Sequence, residues 1–356
     1  MSATAPQFAV WTEDEELECC TVVPEAPNTA TISFVAPSGA LFRYLPGQFL
    51  TLELPLPGGP EWRTYTISSS PSRPLGVSLT VKAQPNSLAT RWMLETLRPG
   101  MRIRAKGPSG TFALAPAARD KYLFISAGSG VTPSVAMTTF LFDRGTSIDV
   151  ALVTCARRPS ELICRRTLEL MAARVPSIKL HFIVEEDDPF EVWTGYRGRL
   201  TQVMLGAIAS DYLERHVYCC GPEPFMKSVR DMLIGLGFDM AHYFQESFSQ
   251  PVHTDAEGPV PGDFVPKETS AAEVVFAASG VTARCNEGDT ILRIAKASGL
   301  NIPSGCTFGV CGTCIVRKTS GEVHMVHSGG ISDEEIEDGY ILACCSHPVG
   351  LVTIEA

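Results

Sequence analysis

"SGCTFGVCGTC", residues 304–314, sets Cys306, Cys311 and Cys314 apart by four and then two residues, with glycines at 305, 309 and 312 among them. Thiols so spaced serve a metal, a redox dithiol or a disulfide framework, and the rest of the chain decides among these. It has 356 residues, 45% of them hydrophobic, and twelve cysteines. A chain of that size buries an ample core without disulfide staples, so its thiols point to metal binding or catalysis. The N-terminus, "MSATAPQFAVWTEDEE", has neither a basic start nor an apolar stretch, and no run of about eighteen uncharged apolar residues follows. These features predict a cytoplasmic protein with no signal peptide and no membrane span. A formal net charge of -10, from 29 Lys and Arg against 39 Asp and Glu, argues against nucleic acid as a partner, because phosphate binding needs a basic surface.

An iron-sulfur cluster needs four thiolates on a loop able to wrap it, and a C-x4-C-x2-C run with one distant cysteine is a plant-type 2Fe-2S spacing. Cys306, Cys311 and Cys314 make the run. The intervening glycines let backbone come close and donate N–H groups to the cluster sulfurs. A fourth thiolate comes from "LACCSHP", where Cys344 and Cys345 compete. Structural zinc is the rival, although zinc motifs usually pair two short C-x-x-C units and only one is present. His324 and His327 raise the thought of Rieske-type ligation, which would replace two cysteines, yet four are already in place.

Residues 272–356 resemble plant-type ferredoxins in the cysteine run, in the "GEV" after it and in a last cysteine set in an L-x-C-x-x-x-P context. The resemblance selects Cys344, with 29 residues between it and Cys314, as the fourth ligand and leaves Cys345 a bystander. Within this region "EVVFAASGVTARC" reads as a hairpin about Ser279-Gly280, and "DTILRIAKASG" as a short amphipathic helix ending at Gly299.

Upstream, short β-segments ("TATISFVA", "QFLTLELPLP", "RTYTISSS", "GVSLTVKAQ", "MRIRAKGP") separated by Gly and Pro predict a small antiparallel barrel. From Lys121 the pattern changes to apolar runs ("YLFISAG", "SIDVALVTCA", "IKLHFIV", "HVYCCGP") separated by helix-length segments, as buried parallel strands require. Residues 249–271 carry four prolines and read as a linker. The expected organisation is an antiparallel β-barrel (1–118), an α/β parallel-sheet domain (119–248), the linker (249–271) and an α+β, β-grasp ferredoxin domain (272–356), the first two being, as the resemblance of their motifs implies, the flavin-binding and the nucleotide domain. Cys155, Cys164 and Cys285 are read as small core residues.

"RTYTISSSP", residues 63–71, resembles the R-x-Y-S/T motif of the ferredoxin-NADP reductase superfamily. That resemblance implies a fork from Arg63 to a flavin pyrophosphate, Tyr65 stacked on the isoalloxazine and Thr66 near its N5. "PGQFL" precedes the motif, and "VKAQPNSLATRWM" follows as the phosphate-binding segment, with Lys82, Ala89 and Thr90 as its contributors. Relatives often carry paired glycines where this chain has Asn86 and Ser87. The segment points to FAD over FMN.

"ISAGSGVTPSVAM", residues 125–137, resembles the family's glycine turn, placing Gly128, Gly130, Thr132 and Pro133 on the dinucleotide. "YCCGPEPFM" resembles its second nucleotide-side signature, with Cys220, Gly221 and Pro222 near the nicotinamide and Cys219 buried on the strand. "QESF" supplies Glu246 and Phe248 beside the flavin. Thr66, Cys220 and Glu246 are thus the residues expected at the hydride-transfer site. Arg157 and Arg158, in "TCARRPSELI", stand where a 2′-phosphate would bind, but relatives with similar segments include NADH users, so NADH is expected, with NADPH the alternative.

The domain order resembles reductase subunits of Rieske-type oxygenases, glycine-betaine demethylase reductases among them, and also hybrid-cluster-protein reductases. This resemblance covers nearly the whole chain and implies electron flow from NADH through FAD and the 2Fe-2S cluster to a separate oxygenase or other redox protein. An electron carrier without NAD(P)H activity is a third reading, opposed by the intact Arg63–Thr66, Gly128–Pro133 and Cys220–Pro222 segments. "SDEEIEDG", residues 332–339, reads as a solvated helix with an acidic first turn rather than a docking patch.

Overall fold

Leu17–Ala26 (β1) and Thr29–Val35 (β2) open the fold as an antiparallel pair, and the alternation of "TATISFV" turns Ile32 and Phe34 into a core and the intervening residues outward. The computed structural model describes residues 8–57, 59–84, 87–114, 121–145, 148–189, 191–248, 272–285, 288–304, 309, 312–327 and 330–356. Phe49–Leu56 (β3), Gly59–Thr66 (β4), Val77–Lys82 (β5), Leu88–Glu95 (α1), Arg102–Ile103 (β6) and Ala105–Ser109 (β7) follow. They form two sheets, of order β5-β2-β1-β6 and β4-β3-β7. Leu17, Phe34, Leu52, Ile67 and Leu79 share one core from both sheets.

"MRIRAKGP" was expected as a single strand, and it divides. Arg102–Ile103 pairs with β1 while Ala105–Ser109 pairs with β3, so the chain changes sheet at Arg104 and ties the two together. β1 adds a strand that the sequence pattern does not announce. Bulges between Cys19 and Thr21 and between Pro24 and Ala26 break its alternation. Cys19 faces the core and Cys20 is exposed, on opposite sides of the strand.

The next sheet is parallel throughout. Lys121–Ala127 (β8), Val131–Arg144 (α2), Asp149–Ala156 (β9), Arg165–Arg174 (α3), Ile178–Val184 (β10), Tyr196–Arg197 (β11), Gln202–Ile208 (α4), His216–Cys220 (β12), Glu223–Gly235 (α5) and Tyr243–Glu246 (β13) build it in the order β11-β10-β9-β8-β12-β13. The five central residues of "KYLFISA" are all buried, because helices cover both faces. The chain winds outward from β8 to β11 and then returns to the other side of β8 as β12. Ligands bind at such a reversal, beyond the carboxyl ends of the strands.

At the amino ends of the same strands lies Arg215, its side chain only 2% exposed. Its guanidinium donates to both oxygens of Asp211 (2.7 and 3.0 Å), to Asp149 Oδ1 (3.0 Å) and to the Tyr122 carbonyl (3.1 Å). Lys121 adds a second cation on Asp211 at 3.1 Å. Burial alone would raise the Asp211 pKa, but the hydrogen bonds from Arg215 and Lys121 outweigh it and hold the carboxyl at about 2.

The chain divides into two units, one running to Gly59 and from Tyr65 to Phe248, the other taking in Pro60–Thr64 with the C-terminal residues. In the second unit Ala272–Phe276 (β14), Val281–Cys285 (β15), Ile291–Ala297 (α6), Ile315–Met325 (β16), Asp333–Glu337 (α7), Tyr340–Leu342 (β17) and Ser346–Glu355 (β18) form a mixed sheet of order β15-β14-β18-β16-β17. β14 and β18 are parallel and the other pairs antiparallel. The expected hairpin turns at Gly280, whose φ is +69°. Thr290 caps α6, which buries Ile291, Ile294 and Ala295 and stops at Ala297, two residues before Gly299. α7 is the expected acidic helix, closed by a reciprocal Ser332–Glu335 capping box. Cys164 is buried as expected, whereas Cys155 and Cys285 are partly exposed. The linker expected at 249–271 lies outside the described residues.

Replacing Arg215 with methionine strands Asp211 and Asp149 without their cation, and is expected to cost about 3–5 kcal/mol. Urea unfolding followed by circular dichroism checks this, and a loss under about 1 kcal/mol would show the network contributes no more than a surface ion pair.

Candidate active site

The register of the parallel sheet sets Ser126, Cys220 and Glu246 abreast on β8, β12 and β13. All three stand at the carboxyl ends of their strands, where the winding reverses. After β8 the chain makes a tight turn through Gly128–Gly130 into α2, and the N–H of Val131, the first residue of that helix, closes the turn on the Gly128 and Ser129 carbonyls. A Cβ on Gly130 would lie 2.2 Å from the Cys220 carbonyl oxygen, so only glycine lets the turn rest against β12. Gly221 is wedged against Ala127 in the same way, at 3.1 Å from its Cβ. Thr132 and Pro133 are buried in the first turn of α2, the Thr132 hydroxyl donating to the Ser129 carbonyl at 3.0 Å. Pro222 starts α5.

Glu246 is the chemically unusual member. One of its carboxylate oxygens is buried without a hydrogen-bond partner. Burial raises its pKa to about 8, opposed only in part by a hydrogen bond to Thr66. Thr66 is itself buried at the end of β4. The Cys220 thiol is pushed well up, by burial first and then by the neighbouring Glu246. It remains a neutral S–H at physiological pH and is no nucleophile. Thr66, Cys220 and Glu246, expected together from three separate motifs, are therefore in one place. A buried carboxyl with an orphaned oxygen, level with Cys220, whose carbonyl packs on the Gly130 turn, fits a site that receives a flavin and a nicotinamide.

The remaining flavin-side residues are placed as follows. Tyr65 packs partly buried against the barrel core. The Arg63 guanidinium is half-exposed and pairs with Glu61. Ala89 is buried in α1, and the Thr90 hydroxyl accepts the Gln84 N–H at 3.0 Å. Ser87, which sequence reasoning passed over except as a departure from paired glycines, caps α1 by accepting the Thr90 N–H. Lys82 donates to Glu161 at 3.2 Å, and Arg157 holds the same carboxylate through two N–H groups. Glu161 was also missed, since nothing local signals a partner 79 residues from Lys82. Phe248 is 42% exposed.

In the second unit Cys314 and Cys344 are both buried, and the Cys344 N–H points at Cys314 Sγ at 3.4 Å. The Ala343 N–H donates to the Cys314 carbonyl at 3.0 Å and fixes the two strands. Gly309 and Gly312 have φ of +76° and +69°. A Cβ on Gly309 would meet His327 Cα and Cys345 Sγ at 2.9 Å, and one on Gly312 the Gly330 carbonyl at 2.9 Å. This thiol-bearing cradle, in which Gly309 and Gly312 leave no room for side chains, fits a 2Fe-2S cluster. Cys306 and Cys311 lie outside the described residues. Among the described residues no three His, Cys, Asp or Glu side chains form a metal cage, and no helix is long and apolar enough to cross a membrane.

Family models for the oxidoreductase FAD-binding domain, the oxidoreductase NAD-binding domain and the 2Fe-2S iron-sulfur cluster binding domain match residues 21–114, 124–231 and 275–349. The stachydrine N-demethylase reductase subunit Stc4 of Rhizobium meliloti (strain 1021) is 62% identical over 98% of this chain and 99% of its own. A glycine betaine monooxygenase reductase subunit of Pseudomonas aeruginosa (strain UCBPP-PA14) is 41% identical over 97% of this chain and 96% of its own. Among solved structures, phthalate dioxygenase reductase aligns with a TM-score of 0.61 over 96% of this chain and 97% of its own at 22% identity, a likeness of fold.

Because Glu246 in the folded protein keeps its proton up to about pH 8 and an exposed carboxyl loses it near 4.5, the folded state binds more protons between those values. Its contribution to stability is whole below about pH 4.5 and is lost as pH rises through about 8. Urea unfolding of wild type and Glu246→Gln at several pH values checks this. The wild type is expected to lose more stability than the variant across that window, and parallel curves would show that Glu246 is ionised throughout.

Proposed function

We infer the function from a family that is shown: the chain belongs to the reductase subunits of monooxygenase and demethylase systems, NAD(P)H-dependent oxidoreductases with FAD-binding, NAD-binding and 2Fe-2S domains. From that premise we propose that it carries electrons from NADH to a Rieske-type oxygenase that demethylates a quaternary ammonium compound of the betaine class. One observation carries the reading: a chain whose parallel sheet ends on Glu246, with a buried unpaired carboxyl oxygen, level with Cys220 also ends in a thiol cradle about Cys314 and Cys344. The betaine class rests on the two relatives, whose names specify stachydrine and glycine betaine.

When bound, FAD takes the two electrons of a hydride together and releases them singly, and a 2Fe-2S cluster passes them one at a time. The protein's part is placement and electrostatics. Gly128, Gly130, Thr132 and Pro133 shape the turn that receives the dinucleotide pyrophosphate, and Gly221 and Pro222 form the opposite wall. Arg63, Lys82, Ala89 and Thr90 serve the flavin phosphates, and Tyr65 offers its ring to the isoalloxazine. Thr66 donates to Glu246, keeping its carboxyl oriented. Burial keeps the Glu246 carboxyl protonated below about pH 8, so it would set no fixed negative charge beside a bound flavin and nicotinamide. Phe248 would lie beside the flavin, and the neutral Cys220 thiol would stand near the nicotinamide. Cys306, Cys311, Cys314 and Cys344 are the cluster ligands.

Cys344→Ser is expected to abolish the cluster's paramagnetic signal and cytochrome c reduction while NADH-driven ferricyanide reduction persists, because ferricyanide draws electrons directly from the flavin. Loss of both activities, or of neither, would contradict this order of carriers. The partner is tested by reconstitution with candidate Rieske oxygenases and a panel of quaternary-amine and aromatic substrates, following NADH loss. Oxygen-dependent turnover with a betaine supports the reading. Reduction of the partner that needs neither oxygen nor an organic substrate would point to a non-oxygenase acceptor instead.

A further inference from the structure

Arg157 and Arg158 follow β9 at the carboxyl edge of the parallel sheet, one strand from the glycine turn. In sheets of this kind the adenosine half of a dinucleotide lies along that edge, and an arginine there can hold the 2′-phosphate that distinguishes NADPH. Here neither guanidinium is idle. Arg157 grips Glu161 Oε1 through Nε and Nη2, at 3.1 and 2.9 Å. Arg158 grips Glu186 Oε2 through the same pair of nitrogens, at 3.0 and 2.8 Å.

The carboxylates are delivered by the backbone. Val184 lies beside Ala156 in the β9–β10 register, and the next two N–H groups, of Glu185 and Glu186, donate to the Arg157 carbonyl at 3.1 and 2.8 Å. The loop after β10 is thus laced onto the loop after β9, which brings Glu186 to Arg158. Glu161 is set by a short turn in which its N–H donates to the Arg158 carbonyl at 3.0 Å, and it takes Lys82 as well. Burial would raise the Glu161 pKa, but hydrogen bonds from Arg157 and Lys82 lower it, so this carboxylate stays charged.

We propose that Glu186, by holding Arg158, and Glu161, by holding Arg157, set a preference for NADH over NADPH. A doubly negative 2′-phosphate at this edge must displace a carboxylate from a two-pronged grip and then sit beside the displaced charge, whereas a ribose hydroxyl displaces nothing. The inference rests on the reading of this sheet edge as the nicotinamide dinucleotide site. The Arg158–Glu186 pair is open to solvent, with side chains 44% and 48% exposed, so it adds little to stability and Glu186 can be changed without unfolding the domain.

The test is kcat and KM for NADH and for NADPH with ferricyanide, using the full-length, flavin-loaded wild type, Glu186→Gln and Arg158→Gln/Glu186→Gln. Wild type is expected to favour NADH. Glu186→Gln should raise kcat/KM for NADPH about tenfold, through KM rather than kcat, because a freed Arg158 can take the phosphate. The double variant should lose that gain. A Glu186→Gln ratio of NADPH to NADH efficiency unchanged from wild type, a wild type that favours NADPH, or a gain that survives removal of Arg158 would each overturn the proposal. Wild type that holds FAD yet oxidises neither coenzyme would instead sink the dinucleotide reading and take the inference with it.

Discussion

Three parallel strands end in step at Ser126, Cys220 and Glu246, and that register determines where this chain can do chemistry. A slip by one residue would turn Glu246 to the other face of the sheet and separate it from Thr66. Gly130 enforces the same alignment from the side, since its turn touches the Cys220 carbonyl without room for a Cβ. The sheet is thus a gauge that sets a glycine turn, a thiol and a carboxyl against one another before any ligand arrives.

The two ends of this sheet handle charge in opposite ways. At the amino ends Arg215 is buried but fully matched by Asp211, Asp149 and backbone carbonyls, so ionic groups there are satisfied and static. At the carboxyl ends Glu246 has an oxygen with no partner and answers burial by keeping its proton. Buried polar groups that are satisfied hold structure, and one left unsatisfied at the carboxyl ends of parallel strands is a candidate for binding. In the second unit the glycines at 309 and 312 play the part that Gly130 plays in the first, removing side chains where backbone must close around thiols.

Local patterns in the sequence were enough for much of this. Alternation in "TATISFV", the apolar run "YLFIS", the turn at Gly280 and the short helix within "DTILRIAKASG" each depend on residues close to one another, and each is seen in the fold. The convergence of Thr66, Cys220 and Glu246 was expected only because three motifs were read by resemblance to one superfamily. Nothing in the spacing of residues 66, 220 and 246 says that they meet. What escaped is long-range or irregular. β1 was hidden by its bulges, "MRIRAKGP" splits because one strand must serve two sheets, and the Arg215 network joins residues far apart in the chain. The engagement of Arg157 by Glu161 and Arg158 by Glu186 is of the same kind, visible only once β9 and β10 lie side by side.

The account stands on electrons entering at a dinucleotide and leaving from iron held by thiolates in the same polypeptide. Its most direct test is paramagnetic resonance of the anaerobically purified full chain after addition of NADH, with iron, acid-labile sulfide and flavin measured on the same sample. The account predicts one bound FAD with two irons and two acid-labile sulfides per chain, and a rhombic signal that grows as NADH is consumed. Zinc in place of iron, or a cluster that dithionite reduces and NADH leaves silent, would contradict it.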